Sequence, residues 1–119
     1  MEPTLYERLG GRDRIAPIVS DLIDLHLSNP AIATRFRRFD VAEMKRKATE
    51  FMCMGTGGPE AYTGKGLVKT HEGMNISAAE FMAVMDDVDV ALEKHKVGAR
   101  ERQEIITTFM DLRKEVLHL

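Results

Sequence analysis

Apolar residues recur along this chain at helical spacing, and nowhere does period-two alternation last long enough to make a convincing strand. Over residues 12 to 28, Ile15, Ile18, Val19, Leu22, Ile23 and His26 fall on one side of a helix. A second helix, opening at Asp40, carries Val41, Met44, Ala48, Phe51, Met52 and Gly55 on one face. Beyond a glycine-rich run a half-length helix carries Leu67, Val68 and His71, and a longer one then turns Phe81, Val84, Met85, Val88 and Leu92 inward. Residues 100 to 117 finish the pattern as a helix with Ile105, Ile106, Phe109, Leu112 and Val116. The pattern predicts an all-α fold without repeats or a linker, one domain over residues 1 to 119.

The boundaries between these helices are written in capping chemistry. Thr4 with Glu7, and Ser77 with Glu80, have the spacing of capping boxes; Asp40 with Glu43 is a third cap signature. Gly10 and Gly11 end the first, brief helix, Asn29 and Pro30 close the second, and Gly98 precedes the last. Between them lie the short piece AIATRF and the turn RRFD. Pro17 is compatible with its helix only in the first turn, where no amide hydrogen is required. The glycines of the central run (Gly55, Gly57, Gly58, Gly64 and Gly66) are expected to supply backbone conformations that a β-carbon forbids, delivering the following short helix.

Composition narrows the function classes. With 30% charged residues and a formal net charge of -2, the chain offers no electrostatic argument for nucleic acid or an acidic membrane surface. No stretch approaches the roughly 20 apolar residues of a membrane span, and the opening residues lack the design of a signal peptide. A cytoplasmic location is the resulting expectation. Cys53 is the one cysteine, so no intrachain disulfide forms, and it is expected to be a packed thiol. Eight methionines and no tryptophan make for an adaptable core.

Few residues can carry chemistry. There is no Cys-x-x-Cys, no histidine pair at metal-cage spacing, and no phosphate loop, since the glycines of GTGG and TGKG follow no strand and lack the lysine-serine/threonine end. His26, His71, His95 and His118 are scattered over separate segments, which does not suit zinc. By residue type alone, a histidine such as His71 is more often a surface or hydrogen-bonded core residue. A single histidine facing an apolar wall nevertheless suits a porphyrin, which brings four equatorial nitrogens of its own.

The segments TLYERLGG (4 to 11), the Phe36 turn, GGPEAYTGKGL (57 to 67), THEGMNIS (70 to 77) and the closing KVG stand in the order and spacing of truncated haemoglobins. The glycine-proline-x-x-tyrosine-x-glycine loop ahead of a histidine resembles that of group I, and the resemblance runs from residue 4 to residue 117. It implies a two-over-two helical sandwich around non-covalent haem b, with His71 as the proximal iron ligand. It further implies that Phe36 packs on the haem face, and that Met44, Lys47, Ala48, Phe51, Leu67, Thr70, Ile76, Phe81, Val84 and Val116 wall the pocket.

The departures from that family bear on function. Many group I members hold oxygen with a tyrosine on the second helix and a glutamine or similar donor on the distal helix. The matching positions here are Ile23, Met44 and Ala48, with Met52 further along, and none of them is a useful donor. The resemblance therefore implies weak oxygen retention, less discrimination against carbon monoxide and easier oxidation to ferric haem. Lys47 is expected to meet a haem propionate or solvent, and the methionines to pack; Lys47 and Met44 are the candidates for an internal sixth ligand. Leu112 stands where cyanobacterial members carry the histidine that bonds covalently to haem. The leading expectation is a reversible binder of oxygen, carbon monoxide and nitric oxide. The alternative is an enzyme, a nitric oxide dioxygenase served by an external reductase, and a haem-free helical interaction module is a third reading.

Overall fold

The computed structural model describes residues 2–119. Among them are the helices α1 (Leu5–Leu9), α2 (Arg12–Ser28), α3 (Ala33–Phe36), α4 (Val41–Gly55), α5 (Leu67–His71), α6 (Ala78–Lys94) and α7 (Ala99–Asp111), followed by a 3-10 turn at Arg113–Glu115. No strand occurs among the described residues; one isolated parallel bridge joins Ile76 to Leu117.

The caps form where the sequence places them. Thr4 Oγ1 accepts from the Glu7 amide at 3.1 Å while the Thr4 amide donates to Glu7 Oε1 at 3.2 Å. Ser77 and Glu80 repeat the arrangement at the start of α6. At α4 only half of it is made: Asp40 accepts from the Glu43 amide at 2.9 Å, but the Glu43 carboxylate turns to Arg46. Pro17 departs from expectation, because it lies in the second turn of α2. The carbonyl that Pro17 leaves without an amide partner belongs to Asp13, an exposed residue of the first turn and so open to solvent.

Helix α2 packs against both α4 and α6, and α6 packs against α7. Its wide apolar surface divides into two i, i+4 stripes. Ile18 and Leu22 meet Val88, Ala91 and Leu92 of α6 and Ile105 of α7. Ile15, Val19 and Ile23 meet Cys53 of α4, with Met44, Ala48 and Met52 packed against the same cluster. Each fully buried aliphatic side chain stabilises the fold by about 1.5–3 kcal/mol, so α2 is anchored on two sides.

Two apolar side chains expected inward are exposed instead. Val41 and Val68 are exposed, both lying in first turns that overhang the body of their helices. The last helix is shorter than its periodicity suggests, stopping at Asp111. Past the 3-10 turn the chain pairs with the segment after α5: the His118 amide donates to the Ile76 carbonyl at 3.0 Å, and the Asn75 amide to the Leu119 carbonyl at 2.9 Å. Leu112 and Val116 stay half-buried through that change of course. No helix among the described residues is long and apolar enough to cross a membrane.

Candidate functional site

His71 closes α5, and its ring is fixed by its own helix. Nδ1 lies 2.8 Å from the carbonyl oxygen of Leu67, one turn earlier. A carbonyl only accepts, so Nδ1 carries a hydrogen, and of the two neutral tautomers the bond selects the one with its lone pair on Nε2. The imidazole is thus held in the tautomer a metal ligand needs, with the backbone bond that orients such ligands already made.

The loop that delivers α5 is fastened to α4. Thr63 donates twice to Glu50 Oε1, from its amide at 3.2 Å and its hydroxyl at 2.7 Å. These bonds, with Arg46 adding to them, hold the Glu50 carboxyl below the usual carboxylate range. Tyr62 meets Phe51 edge to face at 5.2 Å, and its hydroxyl donates to the Lys65 carbonyl at 2.6 Å. The expectation for the glycines needs correction. Only Gly57 of the five has a left-handed backbone, at φ 96°. Gly58 is required for closeness instead, since a β-carbon there would sit 2.6 Å from the Tyr6 ring and 2.8 Å from the Cys53 carbonyl. Gly55 and Gly66 have nothing within 4 Å.

Between α4 and α7 lies an apolar depression of about 180 Å³, lined by Leu5, Phe51, Met52, Gly55, Thr56, Ile105, Thr108, Phe109 and Leu112. Of the residues singled out by sequence, Ile23 is buried and shares one cluster with Met44, Ala48 and Met52, so these four come together. Ile76 and Phe81 are buried; Leu67, Val84 and Val116 are half-buried. Thr70 is exposed and donates to the Lys65 carbonyl at 3.3 Å. Lys47 Nζ lies 3.7 Å from Glu43. Phe36 is half-buried and stacks on His26, ring centres 5.1 Å apart.

Other groups are settled in structural roles. Cys53 is fully buried, and burial pushes its thiol up to about 12, so it is inert. His95 Nε2 pairs with Asp21 at 2.6 Å, and His118 is exposed at the chain end. No cluster of three or more histidine, cysteine, aspartate or glutamate side chains able to hold a bare metal ion occurs among the described residues. A flat cofactor bringing its own equatorial ligands fits this donor set: one imidazole whose ring is oriented by a backbone carbonyl.

Sequence reasoning missed three polar ties. One is Glu50 with Thr63. A second is Arg35, which pairs with Glu80 and donates to the Met74 carbonyl at 3.1 Å, joining α3 to the segment after α5 and to the start of α6. The third is a buried contact between His26 and Asp87. All join residues from different segments of the chain, and the sequence marked only one member of them, His26, by its place on the apolar face of its helix.

The family model of the bacterial-like globins matches residues 4–118. A "Group 1 truncated hemoglobin" of Tetrahymena pyriformis is 27% identical over 96% of this chain and 94% of its own length. The crystal structure of the truncated haemoglobin from that organism, in its Fe(III) form, matches with a TM-score of 0.93 at 26% identity, covering 98% of this chain and 100% of that one. Further crystal structures of it carry replacements of one tyrosine and of two glutamines. A 2/2 hemoglobin from Synechococcus, with covalently attached heme, has the same fold at a TM-score of 0.90 and 23% identity, over 97% of this chain and 98% of that one. By fold, family match and relatives alike, the chain belongs to the bacterial-like globin family, as a truncated haemoglobin of the two-over-two kind.

Proposed function

We propose that this globin holds haem b non-covalently through His71 Nε2 and reversibly binds small diatomic ligands (oxygen, carbon monoxide, nitric oxide) on the opposite face. The observation that carries the reading is the 2.8 Å bond from His71 Nδ1 to the Leu67 carbonyl, which leaves Nε2 as the free donor. When bound, haem supplies an iron centre that accepts one further small ligand. The chain's own residues do the rest. Glu50 and Phe51 fasten the loop that carries α5, so His71 is presented on a braced helix. Phe36, Met44, Lys47, Ala48, Phe51, Leu67, Thr70, Ile76, Phe81, Val84 and Val116 are the proposed pocket residues. Leu112 has no nucleophile for a covalent attachment of the cofactor.

On the distal side Ile23, Met44, Ala48 and Met52 form one apolar group. None donates a hydrogen bond to a partly charged ligand. A donor at that place would stabilise the ligand by about 1.5–3 kcal/mol, roughly 10 to 150-fold in release rate. Rapid oxygen release is the consequence, and it favours reversible binding over nitric oxide dioxygenase activity, which requires oxygen to be retained until nitric oxide arrives and a reductase to restore the iron. Lys47 is paired with Glu43, an ion pair that must break before its amine can ligate. A cytoplasmic location belongs to the same proposal.

Absorption spectra of the purified protein in ferric, ferrous and carbon monoxide forms test the reading. A Soret band that is lost or displaced in His71→Gly is expected, as is a ferrous spectrum without an internal sixth ligand. Absence of a Soret band, or an unchanged spectrum and normal haem retention in His71→Gly, would overturn it.

A further inference from the structure

The contact of His26 with Phe36 lies outside every role assigned above. His26 is 4% exposed in the last turn of α2, and Asp87 is 8% exposed in the middle of α6. The two meet at 2.7 Å between Nδ1 and Oδ2. Burying an imidazole and a carboxylate is costly unless each is partnered, and here a third residue completes the set. Asn29 Nδ2 donates to Asp87 Oδ1 at 3.2 Å and to Oδ2 at 3.3 Å, while Asn29 Oδ1 accepts from the Ala31 amide at 3.1 Å. Asp87 therefore fastens both the end of α2 and the turn that leads into α3.

The ring so fastened is a platform. Phe36 stacks on His26 with centres 5.1 Å apart and planes 20° from parallel. Phe36 is the last residue of a four-residue helix, too short to hold a side chain in place by its own backbone bonds. Burial keeps the imidazole pKa below the usual histidine value against the pull of Asp87, so the platform is a neutral ring at pH 7.

We propose that His26 is a positioning residue for the haem pocket: held by Asp87 and Asn29, its ring sets the plane of Phe36 and thereby the packing of Phe36 on the haem face. The inference rests on the haem reading given under Proposed function. Its role is that of an aromatic surface fixed in orientation, with no contact of its own to iron or ligand.

The test uses haem-loaded protein and paired substitutions, since removing both members of a buried polar pair spares the fold the cost of one left alone. Haem transfer to an excess of apomyoglobin gives the loss rate, and proton NMR of the cyanide-ligated ferric form gives the Phe36 ring signals. His26→Leu with Asp87→Leu, which removes the platform, is expected to lose haem about three- to tenfold faster, the scale of one aromatic stacking contact, with displaced Phe36 signals. His26→Phe with Asp87→Leu, which restores a flat ring, is expected to return both readouts to near the parent values. If the leucine pair matches the parent, or the phenylalanine pair behaves like the leucine pair, the inference is wrong. Wild-type protein that takes up no haem would instead overturn the haem reading itself.

Discussion

Glu50 on α4 accepts two hydrogen bonds from Thr63, and through them α4 holds the loop that leads into α5 and His71. The tie joins positions 13 apart in sequence across the glycine-rich run. Hydrogen bonds to an ionised group are stronger than those between neutral groups, and solvent at this exposed tie reduces their contribution.

Replacing Glu50 with alanine should therefore loosen the loop while leaving the helices in place. Amide hydrogen exchange at Thr63 and its neighbours is expected to accelerate by about tenfold or more, with helical circular dichroism unchanged. Glu50→Gln keeps a neutral acceptor and should show a smaller effect. Exchange in Glu50→Ala as slow as in the parent would mean the loop is held by something else.

Two glycines of the same loop should respond oppositely to a methyl group. Gly58→Ala drives a β-carbon against the Tyr6 ring and the Cys53 carbonyl, at 2.6 and 2.8 Å. Overpacking of that kind costs about 1–3 kcal/mol. Gly66→Ala meets nothing within 4 Å, at a backbone φ of -63° open to any residue, and should be neutral or slightly stabilising. Urea unfolding midpoints of the two variants compare them directly; equal midpoints would contradict the argument.

Acid should weaken the protein in a window set partly by Glu80. Arg35, then the Ser77 amide, hold the Glu80 carboxyl at about 2, against an ordinary value of 4.5. A carboxyl whose folded value lies below its unfolded one contributes fully above the unfolded value, and loses that contribution as pH falls toward the folded one. Glu80's share should thus vanish between pH 4.5 and about 2. Asp21, Glu43, Glu50 and Glu104 are shifted the same way by their own partners. Thermal midpoints from pH 6 down to 2 should accordingly fall less steeply in Glu80→Gln, which retains the cap, than in the parent. Parallel curves would assign the acid sensitivity to the other carboxylates.

A donor placed in the apolar distal group should slow oxygen release. Met44 is half-buried beside Ile23 and Ala48, so Met44→Gln adds an amide with little change in volume. The oxygen dissociation rate, measured by rapid mixing of the ferrous protein, is expected to fall by about tenfold or more. A rate unchanged by the amide would show that ligand release is governed elsewhere than at this face.

Helix content and the capped helix starts were legible in the sequence because they are local. Thr4 and Ser77 sit three residues before a glutamate, and a side chain reaching its own helix terminus needs no other part of the chain. The apolar positions of α2 were legible for the same reason, though not that they serve two partners, since period alone gives a face and not what covers it. His71 and the pocket positions are proposed from motifs held at fixed spacing around the glycine loop.

Tertiary structure decided what depends on contacts between distant residues. The chain end leaves its helix at Asp111 because its backbone finds partners at Asn75 and Ile76. Gly58 is needed because Tyr6 and Cys53 approach it, and His26 acquires a role only where α6 brings Asp87 to it and α3 lays Phe36 on its face. The tautomer of His71 stands between the two. Its carbonyl partner is only one turn away, but the ring's rotation onto that carbonyl is visible only in three dimensions. Local hydrogen bonding and periodicity determined the helices; the site that they form was decided by which side chains the packed helices bring into reach.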